Sequence, residues 1–138
     1  INSDILRLKP VHDNDKKGLF KIISGGKQIL RNEKPKLEPF EIIPEEYDLI
    51  FIGTPVWVGS FAPALNTFLS DTVIENKNIA LFCCSRGGKG NVFIKLREIL
   101  HKNNIIGEME FLSPLKSTSD EINKKVKTWV DEIIDKLD

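Results

Sequence analysis

Few side chains in these 138 residues are suited to chemistry, and they gather in two short stretches. The chain has two histidines and two cysteines. His12 falls in a polar segment, and His101 at the end of a helical stripe, where a positive charge is favourable; neither has a partner at metal-ligand spacing. Cys83 and Cys84 are adjacent in an apolar run, so a strand there sends their side chains to opposite faces and they are not placed to bond each other. Cys84, two residues before Arg86, could be a nucleophile of lowered pKa, and the alternative is that both cysteines are small strand residues. Hydrolytic and metal chemistry therefore have little to work with, and binding chemistry remains. One stretch is Thr54-Pro55-Val56-Trp57-Val58-Gly59, in which Trp57 with Pro55 and Val56 could form a flat apolar wall. Trp57 could also be a surface aromatic serving a partner. The other stretch is Cys84-Ser85-Arg86-Gly87-Gly88, running on through Lys89-Gly90-Asn91 into a helical pattern. Gly-Gly-x-Gly ahead of a helix can present backbone N–H groups to an anion, and Arg86 and Lys89 could neutralise one or simply be solvated.

The elements that must position these stretches are legible from hydrophobic period. Leu49–Ile52 and Ile79–Cys84 are continuous apolar runs rich in β-branched and aromatic residues, as expected of strands buried on both faces. Asp4–Leu8 and Ile105–Phe111 read as further strands. Helical spacing marks Phe61–Leu69, Val92–Leu100 and Glu121–Leu137, and a helix with a weak middle at Gly25-Gly26 is expected near Leu19–Leu30. Ser60 is placed to cap the first of these, with Pro63 in its first turn, and Thr118 with Glu121 gives a capping-box signal. Trp129 belongs to the apolar stripe of the last helix. Strands alternating with helices predict an α/β three-layer fold with a parallel sheet, in a single domain spanning residues 1–138. Both chemical stretches then lie at the carboxyl ends of neighbouring strands, where open α/β sheets bind ligands.

At the level of motif, Tyr47-Asp48-Leu49-Ile50-Phe51-Ile52-Gly53-Thr54-Pro55-Val56-Trp57, followed by Gly59-Ser60 and a helix carrying Ala62-Pro63 and ending Thr67-Phe68-Leu69, resembles the third strand, flavin loop and third helix of flavodoxin-like proteins. The stretch Gly18-Leu19-Phe20-Lys21 with Gly25-Gly26-Lys27-Gln28 is similar to one in a branch of the same family. The resemblance implies a 2-1-3-4-5 sheet and a noncovalent FMN. The site it implies consists of Thr54, Pro55, Val56, Trp57, Val58, Gly59, Cys84, Ser85, Arg86, Gly87 and Gly88. The second loop would pass beside the ribityl chain and isoalloxazine ring. Within that pattern Asp4–Leu8 would be the second strand. The first strand and its Ser/Thr/Gly phosphate loop are not in this sequence, and the expectation is that they precede Ile1 in the native protein. Ile1–Asp138 alone is then expected to bind FMN poorly and to dimerise through exposed strand edges.

Function follows as an expectation from the same resemblance: a redox flavoprotein passing electrons between partner proteins or to a small acceptor. The alternatives are an NAD(P)H-dependent flavin or quinone reductase and a flavin-free interaction module. Twenty basic and twenty acidic residues leave no net charge, so the balance points to neither nucleic acid nor an anionic membrane. It also counts mildly against a dedicated carrier, since such carriers are commonly acidic. No apolar run approaches the roughly 20 residues that span a bilayer, and free thiols fit a reducing compartment, so a cytoplasmic location is expected.

Overall fold

The computed structural model describes residues 3–11 and 33–137. The helix expected near Leu19–Leu30, the Gly25-Gly26 pair and His12 lie outside the described residues. The central strand β1 (Leu49–Trp57) turns back into a two-residue antiparallel strand β2 (Ser60–Phe61), and helix α1 (Pro63–Asp71) follows. Strand β3 (Asn78–Ser85), helix α2 (Val92–Ile99), strand β4 (Asn104–Leu112) and helix α3 (Ser119–Asp135) complete the order. The sheet runs β2-β1-β3-β4, with β1, β3 and β4 parallel. This is the α/β layered fold that the hydrophobic periods predict.

Alternation along β3 divides the two faces. Ile79, Leu81 and Cys83 pack with Ile52 and with Leu65 and Phe68 of α1 and Val92, Phe93 and Leu96 of α2. Ala80 and Phe82 face the other way, toward Trp129 and Ile133 of α3. Trp129 is 6% exposed and meets the Phe51 and Phe82 rings edge-on. The helix ends follow local chemistry. Pro63 opens α1, where its missing N–H loses nothing. Thr118 and Glu121 form the reciprocal capping box that starts α3.

Three expectations are corrected. Asp4–Leu8 forms no strand: the pairing falls just after it, where Pro10 makes an isolated antiparallel bridge to Leu37, Val11 N–H donates to the Lys36 carbonyl (2.8 Å) and Glu38 N–H to that of Lys9 (2.7 Å). Leu6 and Leu8 still pack on the core. The Thr54–Gly59 loop is shorter than expected, because β1 continues through Trp57 and only Val58 and Gly59 form the turn. Ser60 accordingly sits in β2 and caps nothing, and the N-cap of α1 is Ala62.

The two sheet edges differ. On β4, Lys136 Nζ, at the C-cap of α3, donates to the Ile106 carbonyl (2.8 Å) and Lys125 Nζ of α3 to that of Glu110 (2.9 Å), so two acceptors of that edge strand are occupied. On β1, β2 pairs only with Val56 and Trp57, and among the described residues no strand pairs with the outer side of Leu49–Pro55.

Candidate functional site

Register brings the two chemical stretches together. Thr54 is opposite Cys83 and Pro55 opposite Cys84, so the carboxyl ends of β1 and β3 finish side by side. Thr54 is 5% exposed, and its hydroxyl both accepts from Ala62 N–H (3.0 Å) and donates to the Pro55 carbonyl (3.0 Å). One buried side chain thus ties the strand end to the start of α1. Beyond it Val56 pairs with Phe61 and Trp57 with Ser60, which puts the half-buried indole on the hairpin rather than on a free loop.

The turn itself is strained. Val58 has φ of 50° and Gly59 of 70°, the double left-handed geometry of a tight two-residue hairpin. Glycine takes it without cost, whereas a β-branched residue there is an outlier. Val58 is also 63% exposed, so its side chain gains little from the core.

From β3, Ser85 is buried and donates to Glu110 Oε1 (2.5 Å). Its carbonyl accepts from Ser113 N–H (2.6 Å), and Ser113 Oγ donates to the Arg86 carbonyl (3.3 Å). The Ser113 turn, with φ of 47° at a serine, has no sequence signature. Arg86, Gly87 and Lys89 are exposed and Gly88 half-exposed. Among the described residues, no backbone amide from Arg86 to Gly90, nor those of Val58 and Gly59, donates to a protein acceptor. The rim therefore offers unused N–H groups from the hairpin turn beside Trp57 and from the glycine loop after β3. Lys89 Nζ sits 5.4 Å from the Phe93 ring centroid, a cation–π contact that draws the ammonium toward α2.

The cysteines are free, Cys83 buried and Cys84 exposed. Burial pushes the Cys83 thiol up to about 11, and partial desolvation raises Cys84 as well. Both are protonated thiols near neutral pH, so the nucleophile reading for Cys84 loses its basis. No group of three or more His, Cys, Asp or Glu among the described residues is placed to hold a metal ion. A groove of about 380 Å³ does exist between α1 and α2, lined by Ser60, Asn66 and Lys95 among others, but it contains neither Trp57 nor the glycine loop. The candidate residues form an open rim instead.

That rim suits a flat heteroaromatic group: an indole for the ring face, unused amides for its polar edge, and open space over Gly87 and Gly88, where an added Cβ would meet nothing within 4 Å. A family model described as Flavodoxin matches residues 27–133. A flavoprotein of Lactobacillus acidophilus NCFM, solved in complex with FMN, superposes with a TM-score of 0.62 at 26% identity, covering 75% of this chain and 71% of that one. A protein described as a flavoprotein from Bacteroides eggerthii DSM 20697 gives a TM-score of 0.62 at 23% identity, with 80% and 67% covered. One from Bacteroides uniformis ATCC 8492 gives 0.62 at 19%, with 75% and 66% covered; these last two likenesses are of fold alone. A search of curated proteins returns no match.

Proposed function

The chain belongs to the flavodoxin family, and from that premise we propose that it is a redox flavoprotein that holds FMN noncovalently at the rim formed by Thr54–Gly59 and Cys84–Gly88. The observation that carries the reading is the juxtaposition of Trp57 with two runs of unused backbone amides at the carboxyl edge of β1 and β3. When bound, the flavin supplies reversible electron transfer, which no side chain here provides.

The roles of the protein groups follow from their placement. Trp57 walls one side of the ring. Thr54 and the β1–β2 hairpin hold that wall at the height of the glycine loop. The amides from Arg86 to Gly90 donate to the polar edge of the ring, where hydrogen bonds tune its electron affinity. Arg86 adds a positive charge at the rim, which stabilises electron density arriving on the ring. Electrons pass to partner proteins or to a small acceptor. The balanced charge of the chain, 20 basic against 20 acidic residues, supports a second reading as an NAD(P)H-dependent reductase of the same fold. Adding NAD(P)H alone separates the two, since only a reductase bleaches its own flavin with it. Two free cysteines support the cytoplasm as the working compartment. No described helix is long and apolar enough to cross a membrane.

The test is a titration with FMN and with riboflavin, followed by flavin fluorescence, on the wild type and on Trp57→Ala. Saturable binding is expected, weaker by about tenfold in the variant, since a lost stacking surface is worth on the order of 1 kcal/mol beyond the area buried. Because the candidate contacts are to the ring, FMN and riboflavin should differ by less than about tenfold. Absence of saturable binding, or identical binding by Trp57→Ala, would refute the assignment.

A further inference from the structure

The two halves of the rim come from different β–α units, and something must fix the distance between them. Three contacts do so at one place. Asn91 N–H donates to the Gly59 carbonyl (3.0 Å). Gly90, with φ of 53°, lies so close that a Cβ on it would stand 2.6 Å from Gly59 Cα and 2.8 Å from Gly59 O. One turn into α2, Lys95 Nζ donates to the buried Ser60 Oγ (3.1 Å). All three end on residues 59 and 60, immediately after Val58.

Strained backbone persists only where its surroundings over-determine it. Val58 has no local reason to stay left-handed: it is β-branched, exposed, and free of hydrogen bonding through its side chain. We infer that Gly90, Asn91 and Lys95 form a clamp that holds the Val58–Gly59 turn in its left-handed form and so sets Trp57 against the glycine loop. These are positioning residues. They act through the turn, and Gly90 is needed for closeness as well as for its φ. The inference deepens the flavin reading and rests on it for its consequence, though the clamp itself is a property of the protein alone.

A released turn would spend most of its time in another conformation, and a ligand that needs the strained one would bind more weakly by the fraction lost. Gly90→Ala and Gly90→Asn are the informative pair. Asparagine tolerates the left-handed region but brings the same Cβ as alanine, so it separates the need for φ from the need for space. Lys95→Met removes one contact without a backbone clash and keeps the test informative if the position-90 variants fold poorly. Gly107→Ala is the control. Its Cβ would stand 2.2 Å from Ile133 Cδ1 on the far side of the sheet, so it should lower thermal stability without touching the rim.

The measurements are the Val58 HN–Hα coupling and the Asn91 amide exchange rate in flavin-free protein, and the FMN dissociation constant. Both position-90 variants should move the Val58 coupling toward the negative-φ range, speed exchange at Asn91, and weaken FMN by about tenfold; Lys95→Met should do so to a lesser degree. Gly107→Ala should melt lower and bind FMN as the wild type does. Unchanged coupling and exchange in all three variants overturn the clamp, whatever FMN does. Wild-type affinity in Gly90→Asn overturns the need for close approach. A wild type that binds no FMN defeats the flavin reading, and the coupling and exchange data still decide the clamp.

Discussion

Gly53 offers the sharpest test of how the sheet delivers the rim. It stands opposite Phe82 in β3, and a Cβ built on it would lie 2.0, 2.4 and 2.6 Å from three atoms of the Phe82 ring. Ordinary carbon contact needs about 3.5 Å, so in Gly53→Ala the ring must retreat by roughly 1.5 Å. That ring is hemmed in, with Trp129 and Phe111 each at a centroid distance of 6.3 Å. Overpacking of this kind costs about 1–3 kcal/mol. Against it stands the gain from replacing a strand glycine, about 0.5–1 kcal/mol. The difference leaves a net loss of about 1 kcal/mol, or about 3–4 °C in melting temperature for a domain of this size. Thermal and urea unfolding of the variant measure it directly. A Phe82→Val partner should return part of the loss, because the ring that collides is gone and the two changes are coupled across a contact. Gly53→Ala as stable as the wild type would refute the reasoning, and so would strict additivity in the double variant.

Thr118→Ala removes the hydroxyl half of the capping box and should cost about 1 kcal/mol by urea unfolding. Hydrogen bonds from Thr118 hold the Glu121 carboxyl below its ordinary value, so its contribution is present above the unfolded pKa of about 4.3 and is lost as pH falls through the lower folded one. Glu121→Gln should therefore be less stable than wild type near neutrality and converge with it in acid; a constant gap across that range would count against the cap. Light scattering should show a dimer, since among the described residues the outer side of Leu49–Pro55 has no strand partner; a stable monomer would overturn that expectation.

The layered fold was legible because its strands and helices announce themselves by period: Leu49–Ile52, Ile79–Cys84 and the Trp129 stripe need no tertiary information to be read. Their neighbours were harder. The sequence at Thr54-Pro55-Val56-Trp57 carries proline and no clear alternation, so nothing local says that the strand continues to Trp57. Pairing with β2 decides it, and that pairing depends on a valine accepting a left-handed turn, against its own preference. Asn91, Lys95, Ser113 and Glu110 were missed for the same reason. Each acts through a partner 25 or more residues away, and long-range partners leave no mark on spacing.

Asp4–Leu8 shows the opposite error, a local signal that tertiary structure declines. Its apolar centre is real, and Leu6 and Leu8 do bury against the core beside Leu37. Strand status, however, requires a ladder, and among the described residues the only pairing here is the single bridge of Pro10 to Leu37, with Lys9 and Val11 bonded to Glu38 and Lys36 beside it. The consequence falls on β1. Among the described residues its outer side lacks the devices that guard β4, where Lys125 of α3 and Lys136 at its C-cap occupy backbone carbonyls and Glu108 pairs with Arg97. From Leu49 to Phe61 there is no charged residue at all. A charge-free, unpaired strand edge is the kind that accepts another strand. Among the described residues, the strand that carries Trp57 to the rim is thus also the strand most open to pairing, so a strand added at that edge would bear on the position of the indole.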